Sequence, residues 1–249
     1  MHDMALLAVA GLLAGAMNAV AGGGSFVSFP AMIAAGLPPV VANASSTVAL
    51  FPGTLASTWA YRRAFAQTSG LRVRVLLPIS VAGGLVGAAL LLATPAHLFD
   101  MVIPFLLLLA ALTFAFGPRA GLALRRVVRV GPGAMLPVQF VLAIYGGYFG
   151  GAVGLMILAA WTLFTKVDLR SMTPLRVLMV AAANGIAVIC FALSGNIRWR
   201  ETLMVMAGGI AGGYLGAHAG RRLSAPVLRA LILAITIVTT AGFCLRANG

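Results

Sequence analysis

The sequence predicts an all-α, polytopic membrane protein with about eight transmembrane helices of about 20 residues each. Hydrophobic residues make up 61% of the 249 residues and charged residues only 8%, where a soluble domain carries about 25% charged residues. The hydrophobic residues fall in long runs joined by short connections. Such a chain leaves no soluble stretch large enough for a separate enzymatic or nucleic-acid-binding domain.

Ten apolar runs follow one another along the chain. Two of them, 25–36 and 152–165, are short, and glycines separate each from the run before it. The first run has no basic residues in front of it, so we expect a structural helix rather than a cleaved secretory signal. In order, the runs are 4–21, 25–36, 40–61, 75–94, 98–116, 135–149, 152–165, 173–193, 203–220 and 226–245.

The charges of the chain are strongly unbalanced, with 17 lysines and arginines, 4 acidic residues and a net charge of +13. Most of the basic residues lie in short loops between apolar runs, which is how cytoplasmic loops orient a membrane protein. We therefore expect a lipid bilayer around the chain and no nucleic-acid partner. Cys190 and Cys244 lie in separate apolar runs, so the sequence predicts no disulfide, no metal site and no cofactor.

The runs form two series with the same order of lengths, which indicates an internal duplication. Residue matches at nearly constant offsets support it. The sequence therefore predicts two homologous transmembrane repeats, 1–117 and 134–249, and a cytoplasmic basic linker, 118–133. The matches pair Ala82, Gly83, Gly84 and Gly87 with Ala207, Gly208, Gly209 and Gly212 at an offset of 125, and Gly22 and Gly23 with Gly150 and Gly151 at an offset of 128.

The orientation of the two halves has two alternatives. If each short run continues the helix before it, each half has four crossings and the halves are parallel. If each short run turns back as a separate element, each half has five elements and the halves are inverted. The basic residues of the loops favour the inverted arrangement only slightly, so both arrangements stay open at this stage.

The short runs follow two helix breaks. Gly22, Gly23 and Gly24 precede Ser25 in the first half, and Gly150 and Gly151 precede Ala152 in the second. Opened backbone inside a membrane is tolerated only where it is buried in protein or lines a wet cavity, and paired breaks in two halves point to a transporter's binding site. A helix that starts after such a break favours a bound anion, and we expect the Ser25 side chain to cap the first one.

Polar side chains in apolar surroundings are the other candidates for ligand binding. Asn43, Ser45, Ser46 and Thr47 form a cluster at the start of a helix, and Arg176 lies four residues into an apolar run. An intramembrane cation is costly unless it is paired or faces water, so Arg176 suits an anion. The structural alternatives are helix capping by the hydroxyls, snorkelling by Arg176, and close helix packing by the paired glycines at 83–87 and 208–216.

A protease is the rival from another class. The segments around Ser25 and His218 resemble fragments of the rhomboid intramembrane serine protease pattern, in which a serine attacks and a histidine takes its proton. That hypothesis leaves the duplication unexplained, because Ser25 has no serine counterpart in the second half. We therefore expect no enzyme and no catalytic residue.

The whole pattern resembles the sulfite exporter TauE/SafE family of membrane permeases. The resemblance covers nearly the whole chain and is carried by GGGS, FPAMIAAGLPPVVANASST, GGYFGGAVG and SGNIRW. It implies a multi-pass secondary transporter of the bacterial inner membrane that moves sulfite, an organosulfonate or a related small anion. The segment 171–176 departs from the hydroxyl-rich turn at 42–47, because Arg176 takes the place of Thr47.

The sequence therefore predicts a permease with alternating access around a central anion site, and a channel or carrier for another small anion is the alternative. The coupling ion, the direction of transport and the oligomeric state are left open. The predicted substrate-binding residues are Asn18, Gly22, Gly23, Gly24, Ser25, Asn43, Ser45, Ser46, Thr47, Gly150, Gly151, Ala152, Arg176 and Asn184.

Overall fold

The computed structural model describes residues 2–21, 23–63, 73–127, 132–164 and 169–219, together with residue 234. These residues form α-helices, short 3₁₀ segments at 62–63 and 132–134 and the turns between helices, with no strand among them, which confirms the predicted all-helical class. Gly22 and, apart from residue 234, the predicted run 226–245 fall outside the described residues. The helices are α1 (His2–Ala21), α2 (Ser25–Ala34), α3 (Pro39–Tyr61), α4 (Val73–Ala93), α5 (Ala96–Val127), α6 (Met135–Tyr148), α7 (Val153–Phe164), α8 (Leu169–Leu193) and α9 (Trp199–Ala219).

Helix lengths separate membrane-spanning helices from shorter ones. In the described part of the chain, Val73–Ala93, Ala96–Gly117 and Ser171–Leu193 are long and apolar enough to cross a membrane. The 10 residues of α2 and the 12 residues of α7 extend only about 15 and 18 Å, against a hydrocarbon core of about 30 Å. Each is a helix of its own and does not continue the helix before it. Helix α5 continues to Val127, so it extends into the stretch assigned to the linker.

Contacts along the helices establish their relative directions. Gly11 and Gly15 of α1 meet Val205 and Gly209 of α9 in the same order, so α1 and α9 are parallel. Ser80 and Gly84 of α4 likewise meet Met179 and Ala183 of α8. The order is the same between α4 and α6, in the pairs Ser80 with Gln139 and Gly84 with Gly147.

The link between α8 and α9, residues 194–198, reaches at most about 17 Å when extended. It is too short to return across the bundle, so α9 runs opposite to α8. Helices α4, α6 and α8 therefore run in one direction and α1 and α9 in the other. The first helices of the two predicted halves, α1 and α6, are antiparallel, as the inverted arrangement requires. The duplication itself stays a prediction.

The paired glycines bring helix backbones into contact, as the packing alternative predicted. A Cβ on Gly147 would meet the backbone of Gly84, and a Cβ on Gly212 would meet the backbone of Leu12. Small residues at such crossings let helices approach closely, which is the main source of helix association in lipid. These contacts pair α4 with α6 and α1 with α9, so the first helix of each predicted half packs against the other half.

Candidate functional site

The second helix break reverses the chain within a few residues. Helix α6 ends at Tyr148, and the backbone N–H groups of Phe149 and Gly150 both donate to the carbonyl of Tyr145, at 2.9 and 3.3 Å. Gly150 and Ala152 have positive φ values of 76° and 57°. The left-handed conformation costs roughly 1–2 kcal/mol for a residue with a Cβ. Strain of this kind, held in place by surrounding structure, is found at binding and switch sites.

Helix α7 begins immediately after this strained turn. The N–H groups of Leu155 and Met156 donate to the carbonyl of Ala152, whereas the first N–H groups of a helix have no partner within the helix. The helix dipole places partial positive charge at the same end. The start of α7 therefore offers what an anion needs, and it is buried: Ala152 is 1% exposed and Val153 2%.

Arg176 of α8 lies beside the first turn of α7. A Cβ on Gly154 would lie 3.7 Å from Cδ and 3.8 Å from Nη1 of Arg176. The Arg176 Nε atom is buried and has no hydrogen-bond partner among the described residues. A buried N–H donor without an acceptor is costly, so this group has capacity for a ligand that supplies an acceptor oxygen. The structure thus brings three predicted residues or groups, Ala152, the α7 start and Arg176, into one region.

Helix α3 reaches the same break from the other side. The Asn43 amide donates from Nδ2 to the carbonyl of Tyr148 at 2.8 Å, and so satisfies the C-terminal end of α6. The Thr47 hydroxyl donates to the carbonyl of Asn43 at 2.9 Å, and its oxygen would lie 3.9 Å from a Cβ on Gly150. Asn43 and Thr47 therefore border the second break, and Asn43 supports its backbone directly.

Two of the predicted hydroxyl ligands already have protein partners. The Ser46 hydroxyl forms a 2.7 Å hydrogen bond with the hydroxyl of Ser28 on α2. The Ser45 hydroxyl accepts a 3.2 Å hydrogen bond from the backbone N–H of Arg198, just before α9. Both contacts join helices, which differs from the local helix capping that was the structural alternative for this cluster. Ser28 was missed by the sequence analysis, although its position one turn after Gly24 could have drawn attention to it.

The first helix break has a different geometry. Ser25 is the first residue of α2, and Gly24 takes the capping position with no side-chain cap hydrogen bond, so the expected cap by Ser25 is wrong. A capping side chain comes from the residue before the first helical residue, whereas Ser25 is itself the first residue of α2. A Cβ on Gly24 would lie 2.6 Å from the Ala14 carbonyl oxygen and 3.1 Å from Cβ of Asn18. Glycine is needed here for close approach of the chain to α1.

The two breaks border α3 at different levels. Asn18 beside the first break lies near Gly53, whose Cβ would be 3.7 Å from Nδ2 of Asn18. Gly53 is six residues beyond Thr47, or about 9 Å along a helix axis. The two hairpins meet through aromatic rings, because Phe29 of α2 and Phe149 of the second break are in edge-to-face contact with centroids 5.8 Å apart.

Two further polar atoms are buried without a partner in the described part of the chain. They are Oδ1 of Asn184, a predicted ligand on α8, and the hydroxyl of Tyr145. Tyr145 was missed by the sequence analysis, although it stands directly before the Gly146 and Gly147 pair. A buried polar atom without a partner calls for an explanation such as a ligand or water. The side chain of His218, the proposed base of the protease alternative, falls outside the described residues.

Comparisons with known proteins find one family and several relatives named as membrane transporters. A sequence model described as "Sulfite exporter TauE/SafE" matches residues 7–243. The chain is similar to a "Probable membrane transporter protein" of Haemophilus influenzae, with 27% identity over 96% of this chain and 93% of the relative. It is also similar to "Probable membrane transporter protein ORF9" of a Sinorhizobium species, with 26% identity over 95% and 90% of the two chains. "Probable membrane transporter protein YfcA" of Escherichia coli K12 is 26% identical over 96% and 88%. No solved structure matches the chain.

Proposed function

The chain belongs to the sulfite exporter TauE/SafE family and is a multi-pass membrane transporter, and from this premise we propose that it carries a small sulfur-containing anion, sulfite or an organosulfonate. Transport is secondary and proceeds by alternating access. The protein forms no covalent intermediate with its substrate, and its partner is the anion itself. The family and the names of its relatives indicate a transporter, and we propose that the protein has no enzymatic activity.

The position of Arg176 carries the proposal. Its guanidinium lies beside Gly154 in the first turn of α7. A positive charge and the positive end of the α7 dipole therefore lie close together. A sulfite or sulfonate group offers three acceptor oxygens, which suits a guanidinium and several backbone N–H groups together. Arg176 is therefore proposed as the charged ligand, with the N–H groups that follow Gly150, Gly151 and Ala152 as neutral donors.

The remaining predicted ligands are proposed in graded roles. Asn18 and the turn at Gly23, Gly24 and Ser25 line the first hairpin, and Asn184 contributes its side-chain amide from α8, whose NH₂ group is the donor that an anion needs. Ser45, Ser46, Asn43 and Thr47 support the site through the helix contacts that they make. Gly22 stays a proposal from the sequence alone.

We place the protein in the bacterial inner membrane, with the end of α3 that carries Arg62 and Arg63 on the cytoplasmic side. Arg62 and Arg63 follow the end of α3 and are exposed. The Arg62 guanidinium lies 4.3 Å over the ring of Trp59 and donates from Nη1 to the Trp59 carbonyl at 2.8 Å. Tryptophan with arginine at a helix end is typical of the membrane–water interface, and arginine-rich loops are typical of the cytoplasmic side.

A flux panel in proteoliposomes tests the proposal. The substrates are sulfite, a taurine-like sulfonate, sulfate, thiosulfate and a carboxylate, and the variants are Arg176→Ala and Gly23→Leu. We expect saturable uptake with counterflow for a sulfur-containing anion, a large loss with Arg176→Ala, and no transport with Gly23→Leu despite normal membrane insertion. Conductance far above carrier turnover would identify a channel instead. Normal transport by Gly23→Leu would show that the first break is not part of the site.

A further inference from the structure

A buried polar network lies outside the proposed ligands. Gln139 of α6, Ser80 of α4 and Trp161 of α7 are each 0% exposed. The Trp161 indole donates from Nε1 to Oε1 of Gln139 at 3.1 Å, and Nε2 of Gln139 donates to the Ser80 hydroxyl oxygen at 2.9 Å. The Ser80 hydroxyl donates in turn to the carbonyl of Leu76 at 2.8 Å.

The direction of this network is fixed by chemistry. An indole N–H only donates, so the oxygen of the Gln139 amide must face Trp161 and its NH₂ must face Ser80. The three side chains thus form a continuous, oriented chain of hydrogen bonds from α7 through α6 to α4. Leaving any one of these buried polar groups without a partner would be costly.

The α1–α9 pairing, which the predicted duplication matches with the α6–α4 pairing, has no such network at the matching positions. The offsets found in the sequence match Gln139, Trp161 and Ser80 with Gly11, Ile33 and Val205. Gly11 has no side chain and packs directly on the Val205 backbone, with 2.9 Å between its would-be Cβ and Cα of Val205. Helix pairing of this kind therefore does not require the network, which points to a role at α7, where Trp161 lies.

The network is coupled by packing to the neighbourhood of Arg176. Trp161 belongs to one apolar cluster with Val153, the first residue of α7, and Leu175, the residue before Arg176. We propose that Gln139 is a positioning residue: by holding Trp161, it fixes the first turn of α7 against Arg176. This inference rests on the proposed function, in which Arg176 binds the anion.

The test separates positioning from mere stability. Gln139→Met leaves the Trp161 indole and the Ser80 hydroxyl with fewer partners, whereas Gln139→Met with Ser80→Ala and Trp161→Phe removes all the polar atoms together. Replacing both partners of a buried hydrogen bond by apolar groups is close to neutral for stability. We expect thermal stability in detergent to fall in the single variant and to return in the triple variant. We expect KM for sulfite or sulfonate to stay raised about tenfold in both, with a smaller change in maximal rate.

Matched variants make the outcome decisive. Thr202→Val removes another buried hydroxyl hydrogen bond, on α9, and should leave KM unchanged. Ser80→Ala breaks one link only and provides a milder variant, with a smaller rise in KM, if the others fold poorly. In the Arg176→Gln background, Gln139→Met should raise KM no further.

Three results would overturn the inference. A wild-type KM in the triple variant, with a raised KM in Arg176→Gln, would remove the positioning role and leave the proposed function intact. Fully additive effects of Gln139→Met and Arg176→Gln would show that Gln139 acts elsewhere. A wild-type KM in Arg176→Gln itself would overturn both the inference and the proposed anion site.

Discussion

The α1–α2 and α6–α7 hairpins reverse the chain direction with similar residues for different physical reasons. In the first, Gly24 has ordinary helical dihedrals, φ −58° and ψ −33°, and its missing side chain lets α2 approach Ala14. In the second, Gly150 and Ala152 adopt positive φ. A Cβ on Gly150 would lie 3.5 Å from its nearest neighbour, the Gly146 carbonyl oxygen, and so would not clash. Among the described residues, packing limits the first turn at Gly24, and backbone conformation limits the second at Gly150 and Ala152.

The two hairpins also differ in charge. The first faces the neutral amide of Asn18, whereas the second faces the guanidinium of Arg176. Similar glycine-rich sequences have thus produced a closely packed turn and a strained, positively charged one. The predicted halves therefore contribute unequally to the proposed site, because the charged side chain comes from the second half.

The largest expected effect comes from removing that charge. Arg176→Thr, which installs the residue found at the matching position 47, should lower kcat/KM for the anion at least about a hundredfold, or ~2.7 kcal/mol. The matched change Thr47→Val should lower it less than about threefold. Initial rates in proteoliposomes measure both. Equal effects of the two changes would mean that the Arg176 charge contributes no more to transport than the Thr47 hydroxyl at the matching position.

Substitutions at the glycines test the difference between packing and conformation. Gly24→Val should destabilise the protein by about 3 kcal/mol, because its Cβ would clash with the Ala14 carbonyl. Gly150→Asn should cost less than about 1 kcal/mol, because asparagine tolerates positive φ. Thermal unfolding in detergent, followed by size-exclusion chromatography, gives both values. A milder effect at Gly24 than at Gly150 would contradict this assignment.

The support of the second break by α3 provides a third test. Asn43→Leu leaves the Tyr148 carbonyl without its side-chain donor and should cost about 2 kcal/mol. Ser46→Ala should cost about 1 kcal/mol, because Ser28 keeps its second hydrogen bond, to the Gly24 carbonyl. The same thermal measurement compares them, and a larger loss for Ser46→Ala would count against the role of Asn43.

One substitution in the second break is expected to stabilise the protein. Ala152→Gly should stabilise the protein by about 1 kcal/mol, because glycine adopts positive φ without the Cβ clash. The same substitution at Ala187, a buried helical residue of α8, should destabilise it by about 1 kcal/mol. Opposite shifts of the unfolding temperature are the expected signature. A loss of stability in Ala152→Gly would show that the turn holds no strain.

Much of the helical layout was predictable from local sequence. The run of glycines before Ser25 predicted a separate short helix, and the structure has α2 starting at that residue. Arg176 and the second break were each recognised from the sequence, but their meeting at Gly154 was not. The expected cap at Ser25 was wrong, because Gly24 takes the capping position.

Other features depend on contacts that a single sequence does not display. Ser46 was predicted as a ligand, yet its hydroxyl pairs with Ser28 on another helix. The hydrogen-bond network of Gln139 could not be recognised in the sequence, because Gln139, Ser80 and Trp161 lie on three different helices. The orphaned hydroxyl of Tyr145 became visible only once the surrounding side chains were in place.

The membrane class, the helical runs, the two glycine breaks and the intramembrane cation were predictable from the sequence, because hydrophobicity and helix-breaking tendency are properties of neighbouring residues. The antiparallel directions of α1 and α6, the positive φ of Ala152 and the hydrogen bond from Asn43 to the Tyr148 carbonyl were seen only in the tertiary structure. Those outcomes depend on atoms from residues far apart in the chain, as in the 2.8 Å hydrogen bond from Asn43 to Tyr148. Which residues become hydrogen-bond partners depends on how all the helices pack together.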